Sequence, residues 1–186
     1  FWKPPQIELQ GSALGVIGFG RIGQQVARIG NAFGMQILAA SRHRQNALDD
    51  VPFEWGTPDE IASRADVVTL HCSLNENSKE MINREFLSQM RPSAFLLNTS
   101  RGPLINEVAL AEALNDNQLA GAAVDVASVE PITDDNPLLT ARNCLITPHM
   151  AWSSLAARRR MMQITADNIR NFQAGTPSNI VNGDGL

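Results

Sequence analysis

Gly15-Val16-Ile17-Gly18-Phe19-Gly20-Arg21-Ile22-Gly23 decides the fold of this chain. An apolar run leads into it, and Gly18, Gly20 and Gly23 set a G-x-G-x-x-G spacing. Behind it Ile22, Val26, Ile29 and Phe33 recur at helical spacing, and Gly34 offers a stop. Each glycine answers a separate steric demand. Gly18 makes the tight turn out of a strand, Gly20 lets backbone approach a pyrophosphate, and Gly23 lets the new helix pack close to the strand. The helix N-terminus then offers free N–H groups and the positive end of a dipole to phosphates. A glycine-rich turn alone is a weak signal. A strand before it, a helix after it and a second apolar strand at residues 35–40 turn it into a dinucleotide-binding unit. Gly18, Gly20, Arg21, Ile22 and Gly23 are its candidate cofactor residues.

The second strand ends at Ser41, 18 positions beyond Gly23. An NAD site carries Asp or Glu near this spacing for the ribose 2′-hydroxyl. Here the chain runs Ser41-Arg42-His43-Arg44 with no acid. A carboxylate would repel a 2′-phosphate, whereas Ser41, Arg42 and Arg44 can hydrogen-bond one, the arginines with a planar fork. NADP is therefore the expected cofactor, ahead of NAD. A solvated basic loop is the plainer alternative, and His43 is expected to be simply exposed.

Apolar runs alternate with helical patterns along the rest of the chain. Strands are expected at residues 13–17, 35–40, 66–70, 94–98, 121–126 and 144–147. Several are short and continuously apolar, as in a parallel sheet buried on both faces. Helices are expected from Thr57-Pro58-Asp59-Glu60, where Thr57 caps and Pro58 suits the first turn, after Asn83, and after Asn106. The third has Val108, Leu110, Ala111 and Leu114 on its apolar side. A last helix spans about 153–173, before Gly175 and Pro177. This alternation predicts an α/β fold, a Rossmann-type doubly wound parallel sheet. Residues 1–152 form the dinucleotide-binding domain, and 153–186 the C-terminal helix and tail.

Composition narrows the function. The 186 residues are 44% hydrophobic and 18% charged, the balance of a soluble globular domain. A net charge of −4 argues against nucleic acid as a partner. No apolar run reaches membrane-spanning length, and no signal peptide is visible. Cys72 and Cys144 have no metal or redox spacing; they read as buried free thiols, no metal is expected, and a cytoplasmic location fits.

Polar residues gather just after the later strands, where ligands bind in such sheets. Asn98-Thr99-Ser100-Arg101-Gly102 follows one strand, Asp125 and then Glu130-Pro131 another, Thr147-Pro148-His149 a third. A histidine can exchange the hydroxyl proton of a carbonyl/alcohol couple near neutral pH. A carboxylate can orient it, an arginine can grip a substrate carboxylate, and a nicotinamide carries the hydride. Taken singly, each residue has a plain structural explanation: a surface arginine, a loop glutamate, a loop histidine. Likewise Trp152 could be core, and Arg158-Arg159-Arg160 a solvated helix face.

Jointly, Val16 to Gly23, Leu70-His71-Cys72, Asn98 to Gly102, Ala123-Val124-Asp125-Val126 with Glu130-Pro131, and Thr147 to Trp152 resemble the D-2-hydroxyacid dehydrogenases in order and spacing. The His149-Met150-Ala151-Trp152-Ser153 run is most similar to the glycerate dehydrogenase and hydroxypyruvate/glyoxylate reductase branch. The resemblance implies that Arg101 binds substrate, that His149 is the acid/base and that Glu130 pairs with it. It puts Asp125 at the nicotinamide amide and His71, Cys72 and Ser73 by the adenosine. Thr99, Ser100 and Ala151 join the cofactor set, and Trp152 the substrate pocket. The implied reaction is NAD(P)-dependent reduction of a small 2-oxo acid. The rival is a dinucleotide-sensing corepressor on the same fold.

The family's substrate domain comes mostly from an N-terminal segment, and nothing here corresponds to it; the opening Phe1-Trp2-Lys3 lacks a starting Met, so a fragment is expected. The last helix carries Leu155, Met162, Ile169 and Phe172 at helical spacing, an apolar face in need of cover. A homodimer through the cofactor domain is expected, with the tail mobile or docked on a neighbour.

Overall fold

The apolar runs become strands in a computed structural model that describes residues 7–42, 44 and 48–181. They are β1 Ala13–Ile17, β2 Gln36–Ala40, β3 Glu54–Trp55, β4 Val67–Leu70, β5 Phe95–Asn98, β6 Gly121–Val124 and β7 Cys144–Ile146. All neighbours pair in parallel, in the order β3-β2-β1-β4-β5-β6-β7. The chain divides into two compact units between Pro148 and His149. The first holds the whole sheet with α1 Arg21–Ala32, α2 Pro58–Arg64, α3 Arg84–Gln89 and α4 Glu107–Asn115. The second holds α5 Leu155–Gln173.

Local chemistry starts each crossover helix where the sequence predicts. Thr57 and Glu60 close a capping box: the Glu60 N–H donates to Thr57 Oγ1 at 3.2 Å, and the Thr57 N–H donates to Glu60 Oε2 at 2.7 Å. Asn83 caps α3 by accepting from the Phe86 N–H at 2.9 Å, and Asn106 caps α4 by accepting from the Ala109 N–H at 2.9 Å. Gly34, at φ +77°, takes the left-handed turn that ends α1.

Strand alternation then splits the core in two. Leu14, Val16, Ile37 and Ala39 pack with Ala27 of α1 on one face. Ile17, Leu38, Val68 and Leu70 pack with Ile61, Phe86, Leu87 and Leu110 of the crossover helices on the other. Gly15 is what lets α2 in: a Cβ there would stand 2.3 Å from Ile61 Cγ2. Over β5–β7, on the α1 side, Phe95 and Leu145 remain exposed.

Several expectations are corrected. Ile22, Ile29 and Phe33 do not face the sheet; each is more than half exposed, and α1 buries Gly23, Ala27 and Gly30 instead. Close packing on β1 selects the small residues, since a Cβ on Gly30 would stand 2.5 Å from Leu14 Cδ2. In α4 Val108 is exposed, and Ala109 and Ala113 join the buried set. Cys72 and Cys144 are half-buried rather than buried. β3 has no counterpart among the expected strands; two residues carry no period to detect. The expected strand at 121–126 stops at Val124. His43 lies outside the described residues.

In the second unit α5 has no buried residue, and Leu155, Met162, Ile169 and Phe172 are all exposed. Arg158, Arg159 and Arg160 are exposed as well. The following segment folds back on its own helix: Asn171 Nδ2 donates to Ser178 Oγ at 2.9 Å, and Asn179 Nδ2 to Asn168 Oδ1 at 2.8 Å. No described helix is long and apolar enough to cross a membrane.

Candidate functional site

The order of strands reverses between β1 and β4, and the carboxyl ends of all the central strands carry the candidate residues. Gly18, at φ +99°, turns the chain so tightly that a Cβ would meet the His71 carbonyl carbon and the Cys72 nitrogen at 2.4 Å. Gly23 presses α1 onto the turn, its Cβ position being 2.1 Å from the Gly18 oxygen. At Gly20 a Cβ would meet no atom within 4 Å. Gly20 is also the N-cap of α1, without a side-chain cap, and the first turn carries Arg21 and no acid. A cationic, acid-free helix N-terminus beside an open glycine fits a diphosphate. These observations suit the dinucleotide cofactor that the spacing implies.

Phe19, between the first two glycines, is 1% exposed. Its ring centroid is 4.9 Å from that of Phe53 and 5.3 Å from that of Trp55. Beyond β2, Ser41 is half-buried and Arg42 and Arg44 are exposed. The Arg44 guanidinium lies over the Trp55 indole, 5.8 Å from its centroid.

At the end of β4, burial lowers the His71 pKa, and its Nε2 lies 3.0 Å from Thr69 Oγ1. Burial pushes the Cys72 thiol up, with the charge of Arg42 acting in the opposite direction. Ser100 Oγ donates to the Cys72 carbonyl at 2.8 Å, tying the β5 loop to the β4 loop. Ser73 and Thr99 are exposed beside them.

Asn98, fully buried at the end of β5, shapes the arginine loop. Its Oδ1 accepts from the Ser100 N–H at 3.0 Å and its Nδ2 donates to the Arg101 carbonyl at 2.9 Å. The Arg101 side chain is exposed, with Nη1 donating to the Ser100 carbonyl at 2.7 Å. Next to it Gly102 lies flat on the β6 loop: a Cβ would overlap the Ala127 carbonyl at 2.0 Å. That loop holds Glu130, whose Oε1 accepts from the Ala127 N–H at 3.1 Å. Glu107 braces the same loop, accepting from the Ser128 N–H at 2.7 Å and from Asn136 Nδ2 at 2.9 Å. Asp125 is 4% exposed, and Thr147 Oγ1 donates to its Oδ1 at 2.5 Å. Arg101 and Glu130 are thus presented by two interlocked loops.

His149 opens the second unit. Its backbone is left-handed, φ +51°, a region that few non-glycine residues occupy and in which histidine is enriched. The Trp152 indole donates to the His149 carbonyl at 3.0 Å, and the Ser153 N–H and Oγ both reach the Met150 carbonyl. Ala151 is exposed within this turn. Ser154 then caps α5, accepting from the Ala157 N–H at 3.2 Å. The candidates therefore divide: Arg101, Glu130, Asp125 and the glycine loop in the first unit, His149, Ala151 and Trp152 in the second.

Phe19, Trp55, Asn98 and Glu107 carry structural duties at the site that sequence reasoning did not assign. Asn98 was visible within its motif. Phe19 sat at a variable position of the glycine motif, and nothing in the sequence paired it with Trp55. Among the described residues no group of three or more His, Cys, Asp or Glu could hold a metal ion.

Residues 2–151 match the family described as D-isomer specific 2-hydroxyacid dehydrogenase, NAD binding domain. A hydroxypyruvate reductase of Blautia hydrogenotrophica is 44% identical over 182 residues, 98% of this chain and 56% of that protein. A glyoxylate reductase of Aeropyrum pernix is 35% identical over 186 residues, 97% of this chain and 56% of that protein. Among solved structures, an acyclic imino acid reductase in complex with NADPH and D-Arg superposes with a TM-score of 0.85 at 33% identity, covering 94% of this chain and 55% of the other. The chain spans about half the length of the curated relatives it matches.

Proposed function

The chain belongs to the D-isomer specific 2-hydroxyacid dehydrogenase family, and on that premise we propose that the protein reduces a small 2-oxo acid, hydroxypyruvate or glyoxylate, to the D-2-hydroxy acid. The observation that carries this is the interlocking of the Arg101 and Glu130 loops, Gly102 lying against Ala127 in an arginine loop that Asn98 shapes. In this proposal the Arg101 fork binds the substrate carboxylate and polarises the neighbouring carbonyl. His149 delivers the proton to the carbonyl oxygen, and Glu130 is the carboxylate that stabilises its charged form. The nicotinamide, when bound, supplies the hydride. Asp125, oriented by Thr147, holds the nicotinamide amide, and Trp152 contributes to the substrate pocket.

For the coenzyme we propose NADP(H) over NAD(H). The family description names NAD, and solved relatives carry NADPH in one case and NAD in others, so the comparisons leave the preference open. Support comes from the acid-free end of β2, where Ser41, Arg42 and Arg44 stand at the position of the ribose-binding carboxylate. The exposed apolar residues of α1 support a homodimer through the cofactor domain, which light scattering tests.

Steady-state assay of the full-length protein with hydroxypyruvate and glyoxylate, each with both reduced coenzymes, tests the whole assignment. Turnover of at least one acid, faster with NADPH, is expected, and Ser41→Asp should shift the preference towards NADH. No turnover of either acid would refute the substrate proposal, and equal use of both coenzymes would refute the NADP reading.

A further inference from the structure

We propose that Trp55 is a specificity-determining residue: its indole holds the Arg44 guanidinium in place to receive the 2′-phosphate of the coenzyme. This rests on the NADP reading above and extends it to a residue outside the phosphate-binding loop. Trp55 lies on β3, the edge strand, where it pairs with Ala39 of β2, one residue before the end of that strand. Its ring is fixed from two sides, meeting Phe19 at 5.3 Å and Phe53 at 5.0 Å, both edge-on. Phe53 and Phe19 are themselves 4.9 Å apart, so the three rings close a cluster. The Arg44 guanidinium lies over the indole, 5.8 Å from its centroid, within the range of a cation–π contact.

The geometry suits phosphate recognition for a physical reason. An exposed arginine carries a large rotamer entropy that is lost when it grips a ligand. Held over an indole, it has lost part of that freedom already. Engaging an aromatic face leaves edge N–H groups of the guanidinium available for a bidentate contact with phosphate oxygens. The same ring cluster includes Phe19, which sits between Gly18 and Gly20. One rigid aromatic base thus supports both the diphosphate loop and the arginine beyond β2. NADH has no 2′-phosphate, so it should be indifferent to the Trp55–Arg44 contact.

Equilibrium titration of the full-length protein with NADPH and with NADH tests this in wild type, Trp55→Leu, Trp55→Phe, Arg44→Ala and the Arg44→Ala/Trp55→Leu double variant. An exposed cation–π contact corresponds to about a two- to fivefold change in affinity. Trp55→Leu should weaken NADPH by about that factor more than it weakens NADH, the loss shared by both coenzymes reporting the Phe19 loop. Trp55→Phe, which keeps an aromatic face, should retain part of the difference. In the Arg44→Ala background Trp55→Leu should add no further NADPH-specific loss. Should Trp55→Leu fail to fold, Trp55→Phe with and without Arg44→Ala carries the same comparison. Equal weakening of both coenzymes would make Trp55 a support of the Phe19 loop only and overturn the proposal. So would unchanged NADPH affinity in a protein that prefers NADPH. A wild type without preference would overturn the NADP reading itself, and this inference with it.

Discussion

Gly102→Ala should be far more damaging than Gly20→Ala, although both glycines belong to loops at the same end of the sheet. A Cβ on Gly102 would lie 2.0 Å from the Ala127 carbonyl carbon and oxygen and 2.5 Å from the Ser128 nitrogen. All three are backbone atoms, so no side chain can rotate away, and relief requires the β5 and β6 loops to part by more than 1 Å to restore an ordinary contact of about 3.5 Å. Overpacking of a well-packed site costs about 1–3 kcal/mol, and a backbone clash belongs at or above the top of that range. We expect about 3 kcal/mol. At Gly20 the added methyl meets no atom within 4 Å, and φ is −82°. The cost there is that of alanine as an N-cap, up to about 1 kcal/mol. Its effect should fall on ligand affinity, because the methyl enters the space proposed for the diphosphate. Urea unfolding at equilibrium measures the first effect through the midpoint, and coenzyme titration the second. Separation of the loops should also raise KM for the 2-oxo acid in Gly102→Ala, since Arg101 and Glu130 would no longer be held together. A Gly102→Ala protein within about 0.5 kcal/mol of wild type, with unchanged KM, would refute the claim that this contact sets the geometry of the site.

Replacing His149 by Ala in the full-length protein should lower kcat by about 10²- to 10⁴-fold with coenzyme affinity intact; a smaller drop would remove it as the acid/base. Glu130→Gln should lower kcat in the full-length protein, because the proposed carboxylate partner orients the imidazole for proton transfer; stability and coenzyme binding serve as controls. His71 supplies a pH dependence of folding. Burial lowers its pKa, so below the unfolded value of about 6.5 the unfolded chain binds a proton that the folded chain resists. Stability should therefore be full above that pH and decline as pH falls through the window beneath it. His71→Gln should flatten this part of the stability–pH curve, and an unchanged slope would rule out His71 as its source.

The sequence by itself determined the order of the elements, β3 excepted, and the kind of ligand. Glycine spacing, apolar runs and capping residues act over a few neighbouring positions, so Gly18 to Gly23, the capping box at Thr57 and Glu60, and the stop at Gly34 were legible from the chain alone. The acid-free end of β2 was legible for the same reason. Arg101, Glu130 and His149 could be named because their segments, taken jointly, resemble the D-2-hydroxyacid dehydrogenases in order and spacing. What only the tertiary structure decided was which faces are covered and which residues hold the site. Helical spacing marked Ile22, Ile29 and Phe33 as a stripe but could not say that close packing on β1 reserves the inner face for Gly23, Ala27 and Gly30. Gly102 against Ala127, Ser100 on the Cys72 carbonyl, and Phe19 with Phe53 and Trp55 join segments far apart in sequence. Such contacts leave no periodic trace, because they depend on the register of parallel strands brought side by side and not on the order of residues along any one of them.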